Sequence, residues 1–319
     1  MTGRGTALAF AAALCLGFGN GAAAESWTET AATLGSDDGA LHGTLTLPDG
    51  GAAADAVLIQ AGAGPSDRNG NLPGLTSNAL ALLARALGER GIASLRTDKR
   101  GTGESAAASS GEAGLSPSLY ARDVAAWTAW LKQRPRVRRV FLAGHSEGAL
   151  IVTLAARTEA PAGLILLAGA GHRIAEIIRR QLAAGPLPAP LREEADRIIA
   201  SLEAGRLHPN PNPALYALFR ESVQPYLIEW FRYDPAGELA KTGMPALAVQ
   251  GTTDLQIDVA DAERLAAARP GVDLKIVDGM NHMLKRAPTD PYANIATYND
   301  PDLPVMAELV DAIAAFVGR

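Results

Sequence analysis

Gly144-His145-Ser146-Glu147-Gly148 constrains this chain more than any other stretch, because of what stands on either side of it. Val140-Phe141-Leu142-Ala143 ahead of it is a short apolar run that reads as a buried strand. Ala149-Leu150-Ile151-Val152-Thr153-Leu154-Ala155-Ala156 behind it continues with helix-compatible apolar spacing. A serine between two glycines at a strand-to-helix turn is a nucleophile elbow. The turn is tight enough that the flanking residues must be nearly free of side chain, and the serine hydroxyl is held clear of the sheet edge. The five-residue pattern arises by chance in many chains, and the strand and helix around it give it weight here.

An elbow serine needs an acid and then a histidine, in that chain order. The chain has 5 histidines, His42, His145, His172, His208 and His282. Only His282 lies near the C-terminus beyond a suitable acid. It follows the strand-like run Asp273-Leu274-Lys275-Ile276-Val277, in Asp278-Gly279-Met280-Asn281-His282-Met283. The acid belongs after the preceding strand, and Ala246-Leu247-Ala248-Val249-Gln250 runs into Gly251-Thr252-Thr253-Asp254. Asp254 is therefore expected to orient His282. Asp258 competes for that role, but it opens Val259-Ala260-Asp261-Ala262-Glu263-Arg264-Leu265 and reads as a helix N-cap.

Several runs besides the Ser146, Asp254 and His282 pattern carry a family resemblance. They are Gly62-Ala63-Gly64-Pro65-Ser66-Asp67-Arg68-Asn69-Gly70-Asn71, Asp98-Lys99-Arg100-Gly101-Thr102-Gly103-Glu104-Ser105, Ser222-Val223-Gln224-Pro225-Tyr226, Gly251-Thr252-Thr253-Asp254 and Gly279-Met280-Asn281-His282. From about Trp27 onward the chain resembles the α/β-hydrolase-fold serine hydrolases, in the serine-aminopeptidase-like branch that also holds monoacylglycerol-lipase-like esterases and exported bacterial hydrolases. The resemblance implies a mainly parallel central sheet flanked by helices, with a helical cap inserted after the sixth core strand. It implies a Ser146–Asp254–His282 triad. It leaves the substrate open, since this fold hosts many chemistries.

Residues 1–24 read differently from the rest. Arg4 gives a positive start, Ala7 to Phe18 form an apolar segment too short for a membrane span, and Ala22-Ala23-Ala24 offers a small-residue cleavage site before Glu25. The expectation is a signal peptide cleaved after Ala24 and a periplasmic or secreted protein with no stable membrane span in the mature chain. Cys15, the 1 cysteine, would leave with it, so the mature chain has no disulfide and no thiolate metal site. Net charge is −5 with scattered Lys and Arg, which argues against a nucleic-acid partner. Oligomeric state is not readable.

With 48% hydrophobic residues, the 319-residue chain can bury one large core with an insertion. Strands are expected at Trp27 to Leu34, Ala40 to Leu47, Ala56 to Gln60, Ile92 to Arg96 and Gly163 to Leu167, with Asp37-Asp38-Gly39 as a hairpin turn. Helices are expected at Thr76 to Arg90 and Leu119 to Lys132. The α/β alternation stops between 172 and 241, which divides the chain into a core of 25–171 and 242–319 and a helical cap of 172–241. Within the cap, Ile174 to Ala184 and Leu191 to Leu207 read as amphipathic helices. Tyr216, Phe219, Tyr226, Trp230, Phe231 and Tyr233 then crowd together in a chain with 4 Trp, 6 Tyr and 6 Phe. Each ring alone suits packing of the cap onto the sheet. As a group, some could roof an acyl pocket over Ser146.

The loop Gly62-Ala63-Gly64-Pro65 falls where the resemblance places an oxyanion loop, which makes the backbone N–H groups of Ala63 and Glu147 the expected donors. The family's more usual histidine–glycine pair is Ala61-Gly62 here, so the register of the first donor stays open. Gly101-Thr102-Gly103-Glu104-Ser105-Ala106 matches a dinucleotide fingerprint in letters only, because no helix pattern follows it. Asp98 and Arg100 are expected to pin that turn. No metal or cofactor motif appears, so side chains must do the chemistry. The expected activity is hydrolysis of a small-molecule carboxylic ester through an acyl-enzyme on Ser146. A thioesterase or an aminopeptidase would use the same triad, the latter with Glu193, Glu194, Asp196, Glu221 or Glu229 holding a substrate ammonium. A non-catalytic binding protein on the same fold is the alternative from another class.

Overall fold

Alternation of threonine and leucine with small and polar residues gives the chain its opening hairpin. It consists of β1 (Trp27–Ser36) and β2 (Gly39–Pro48), paired antiparallel from Trp27 opposite Pro48 to Ser36 opposite Gly39. This is a computed structural model that describes residues 26–319. The signal-peptide expectation for 1–24, and Cys15 with it, lies outside the described residues. No helix among the described residues is long and apolar enough to cross a membrane.

From there strands and helices alternate: β3 (Ala54–Gln60), α1 (Ala79–Glu89), β4 (Ala93–Thr97), α2 (Pro117–Lys132), β5 (Val137–His145), α3 (Glu147–Ala155) and β6 (Gly163–Leu167). Five helices follow, α4 (Ile174–Ala184), α5 (Ala189–Glu203), α6 (Tyr216–Phe219), α7 (Gln224–Trp230) and α8 (Pro235–Ala240). The sheet resumes with β7 (Ala246–Gly251), α9 (Val259–Ala266) and β8 (Val272–Val277), and the chain closes with α10 (Pro291–Ala296) and α11 (Ala307–Val317). Strand order is β1-β2-β4-β3-β5-β6-β7-β8, parallel from β4 to β8 and antiparallel where β2 meets β1 and β4.

The central strands are apolar without alternation because both faces are covered. Along β3, Leu58 joins Leu95, Val124, Trp127 and Ile151 on the face that α2 and α3 cover. Its neighbours Val57 and Ile59 join Leu83, Leu87, Ile313 and Phe316 under α1 and α11. That is the two-residue period of a strand reading out two cores. The helical insert between β6 and β7 has a third core of its own. Ala195, Ile198, Ile199 and Leu202 form one stripe of α5 and pack with Ile178, Leu215, Phe219, Leu227 and Phe231.

Two helix ends differ from their sequence reading for local reasons. The first long helix begins at Ala79, not Thr76, because Asn78 is left-handed (φ 53) and Asn71 Oδ1 accepts from the amides of Ser77 and Asn78. In the insert, the helix stops at Glu203, four residues short of Leu207. Gly205 takes φ +73, its N–H donates to Leu202 O, and Arg206 N–H donates to Ser201 O. This is a Schellman termination. The aromatic cluster also divides. Phe219 and Phe231 lie inside the insert's own core. Tyr226 sits 6.0 Å from the Tyr120 ring in the sheet's core, and Trp230 packs against both.

Candidate active site

Ser146 stands between the end of β5 and the start of α3 with φ 55 and ψ −119, a conformation that L side chains rarely adopt. Such a backbone costs about 1–3 kcal/mol and persists only where the surroundings hold it. Here the Ser146 N–H donates to Leu167 O at 2.8 Å, on the neighbouring β6. The flanking glycines allow the turn to close: a Cβ on Gly144 would lie 2.1 Å from Gly148 O, and one on Gly148 would lie 2.5 Å from Gln60 O.

Asp254 follows β7 and His282 follows β8, on the same edge of the sheet. Nδ1 of His282 meets Asp254 Oδ2 at 2.9 Å. A carboxylate can only accept, so Nδ1 carries the hydrogen and Nε2 of the neutral ring keeps its lone pair. Asp254 is fixed on every side. Its Oδ1 accepts from the amides of Gln256 (2.7 Å) and Ile257 (3.0 Å), and its Oδ2 accepts from Gln250 Nε2 at 3.0 Å. Burial pushes the Asp254 carboxyl up, but the His282 ring and these donors outweigh it and hold it below the usual range. The His282 loop is shaped by Asn281, whose Oδ1 accepts from the Met283 and Lys285 amides. Asp258 stands at the start of α9 as expected, yet its side chain caps nothing. It pairs instead with Arg180 at 2.8 Å on the protein surface.

His145 joins these residues to the elbow. Its Nε2 donates to His282 O at 2.7 Å, and the two imidazole rings lie 4.9 Å apart. Burial, reinforced by the His282 ring, holds His145 down to about 4, so it is neutral at ordinary pH. The structure thus brings Asp254 and His282 into direct contact and draws Ser146 to them through its neighbour. No hydrogen bond from Ser146 Oγ to the His282 ring is made among the described residues.

On its other side, the loop after β3 runs directly against Ser146: a Cβ on Gly62 would lie 3.1 Å from Ser146 Cβ. Among the described residues neither Ala63 N–H nor Glu147 N–H has a protein acceptor. For Glu147 this follows from its place as first residue of α3. The turn after β4 clamps this loop. Asp98 accepts from the Arg68 amide at 2.8 Å and from its guanidinium, while Lys99 Nζ donates to the carbonyls of Gly62 and Gly64. Lys99 Nζ also lies 3.7 Å from Glu147 Oε2, and Tyr226 of the insert donates to Glu147 Oε1 at 2.6 Å. Burial, with Glu147 beside it, drives the Tyr226 phenol well above its ordinary range, so it stays a donor. The glycine-rich turn that imitates a dinucleotide fingerprint opens a short 3-10 segment, Gly103–Ala108, and its Glu104 amide already donates to Asp98 at 2.9 Å. Asp98 and Arg100 pin it, Arg100 by a two-pronged contact with Asp123.

This arrangement of sheet, elbow and strand-end loops has relatives among solved structures. Est1E from Butyrivibrio proteoclasticus, with ferulic acid bound, matches with a TM-score of 0.59 at 16% identity over 90% of this chain and 100% of that one. The α/β hydrolase GrgF from Penicillium sp. sh18 matches with a TM-score of 0.55 at 22% identity, over 80% and 91%. The chain is an α/β-hydrolase-fold protein. Residues 74–207 match the family model described as serine aminopeptidase, S33, a segment that contains the elbow. Esterase EstD of Thermotoga maritima is 24% identical over 257 residues, 76% of this chain; the chain covers 58% of that relative's length.

Sequence reasoning missed Gln250, Lys99 and His145 as parts of the site. A signal was present for two of them. A glutamine at the end of an apolar strand run, or a lysine following a buried strand, has to find a polar partner inside the protein. Among the acids considered for an ammonium, Glu194, Glu221 and Glu229 accept from the backbone amides of Asn212, Asn210 and Ser118, and Asp196 lies 3.7 Å from Arg179. Glu193 is exposed.

Proposed function

We propose that the protein hydrolyses small-molecule carboxylic esters through an acyl-enzyme on Ser146. The observation that carries this is the contact chain Ser146–His145–His282–Asp254, with an elbow serine at φ 55 and a histidine whose Nε2 is free to accept. His282 Nε2 takes the proton of Ser146 as Oγ attacks the carbonyl carbon, and the oxygen that becomes negative is met by the N–H groups of Ala63 and Glu147. The C–O bond to the alcohol then breaks, the alcohol leaves with the proton from His282, and the acyl group stays on Oγ. Water gives a proton to His282 and attacks, the acyl–Oγ bond breaks, and the acid leaves as Ser146 regains its proton. Asp254 holds the tautomer and stabilises the charged ring. No step calls for a metal or a cofactor.

The name of the Thermotoga relative and the ferulate seen in Est1E support an ester as the scissile bond. The description of the matched family model favours aminopeptidase activity as a second reading. Against it, four of the five acids that could hold an ammonium already have protein partners. We place the protein in the periplasm or outside the cell, on the composition of residues 1–24. Assaying the mature chain against nitrophenyl esters of increasing acyl length, acyl-CoAs and aminoacyl arylamides tests the reading. Ester turnover that disappears in Ser146→Ala is the expected result. Arylamide cleavage without ester cleavage would replace it with the second reading.

A further inference from the structure

Lys99 is an expensive residue for its position. Its side chain is 1% exposed, burial lowers its basicity, and its one ion-pair partner among the described residues is Glu147 at 3.7 Å. A methionine would fill the same space without desolvating an ammonium. What the ammonium supplies is a pair of hydrogen bonds to the carbonyls of Gly62 and Gly64, on either side of Ala63.

Gly62 C=O and Ala63 N–H belong to one peptide unit, and no cis bond occurs among the described residues. In a planar trans unit the two groups point in opposite directions. Holding Gly62 O on Lys99 therefore turns Ala63 N–H away from Lys99, in a loop that lies against Ser146 at Gly62. Glu147, the counter-charge of Lys99, contributes the second expected donor through its own backbone N–H. Its remaining carboxylate oxygen is held by Tyr226 OH at 2.6 Å. Lys99 Nζ also lies over the Tyr120 ring, 5.2 Å from its centroid.

We propose that Lys99 is a positioning residue for the oxyanion hole: it sets the Gly62–Ala63 peptide plane, and the Glu147–Tyr226 contact anchors it from the helical insert. This rests on the acyl-enzyme reading of Ser146. It explains why one ion pair reaches the residues of both donors.

The test compares wild type with Lys99→Met in three readouts: kcat, KM, and inhibition by a trifluoromethyl ketone, whose adduct on a serine carries the oxyanion. Expected is a fall in kcat of about 10²-fold, KM within about threefold of wild type, and ketone affinity weakened in parallel with kcat. A folded Lys99→Met with unchanged kcat and ketone affinity, whatever its Tm, would overturn the proposal and leave the acyl-enzyme reading standing. Should that variant not fold, Glu147→Gln keeps size, the Tyr226 acceptor and the backbone N–H while removing the counter-charge. A parallel loss of about tenfold in kcat and ketone affinity is expected there, and no loss overturns the proposal. A wild type that neither turns over esters nor binds the ketone would overturn both readings together.

Discussion

The two sides of Ser146 are built differently. On the acid–base side, Asp254 is fixed by its own turn through the amides of Gln256 and Ile257, and His282 by its own loop through Asn281. These contacts are local, and a few long-range ones complete them, from His145 to His282 O and from Asn294 to Thr253 O. On the oxyanion side, the loop after β3, the turn after β4, the start of α3 and helix α7 of the insert meet in one buried contact set around Lys99. Damage on the first side should therefore remove one chemical function at a time. Damage on the second should spread, changing catalysis, stability and the seating of the insert together.

The largest expected effect lies on the acid–base side. Asp254→Asn should lower kcat by about 10⁴-fold, because the amide favours the wrong histidine tautomer, with Tm near wild type. Steady-state kinetics and a melting curve check this, and a loss under tenfold would give the orienting role to another residue. Next comes a pH effect at His145. It is neutral in the fold down to about 4, whereas in the unfolded chain it takes up a proton near 6.5. Between those values the unfolded state binds more protons, so stability is full above 6.5 and falls as pH drops toward 4. The slope approaches about 1.4 kcal/mol per pH unit. Urea titrations from pH 7 to 4 should show it, and His145→Gln should flatten it.

On the oxyanion side, Tyr226→Phe removes one partner of a buried carboxylate and should cost about 1–3 kcal/mol of stability. In contrast to Asp254→Asn it should also lower kcat, by less than about tenfold. A variant that loses stability and keeps full kcat would show the insert to be uncoupled from the chemistry. Smallest of all is Asp258→Asn. Its side chain caps nothing and pairs with Arg180 in solvent, so the change should cost under about 1 kcal/mol and leave kcat unaltered. Set beside Asp254→Asn, it separates two aspartates four residues apart.

The same division governs what the sequence disclosed. The strand-end positions of Ser146, Asp254 and His282 were legible because each has a recognisable apolar run before it and turn residues around it. Parallel strands buried on both faces leave uninterrupted apolar runs, so β3, β6 and β7 were readable within a residue or two at their ends, while β5 begins three residues before its apolar run. The partners of Lys99 and of Tyr226 were not readable, since they lie far along the chain; Lys99 and Gly62 are 37 positions apart, Tyr226 and Glu147 79. The aromatic cluster shows the same limit from the other direction. Its composition suited a pocket roof, but Phe219 and Phe231 turn into the core between α5 and α7. Helix periodicity placed α4 and α5 but not the shorter α6 to α8, and the left-handed Gly205 that ends α5 was decided by backbone geometry alone.

The central claim is that Ser146 is the nucleophile served by both sides of the site. Treating the mature protein with a fluorophosphonate, then locating the adduct by intact-mass and peptide mass spectrometry, tests it most directly. The expected result is one adduct, on the peptide containing Gly144-His145-Ser146-Glu147-Gly148, absent in Ser146→Ala and formed far more slowly in Asp254→Asn. An adduct on another residue, or labelling of Ser146→Ala at the wild-type rate, would contradict the assignment of the nucleophile.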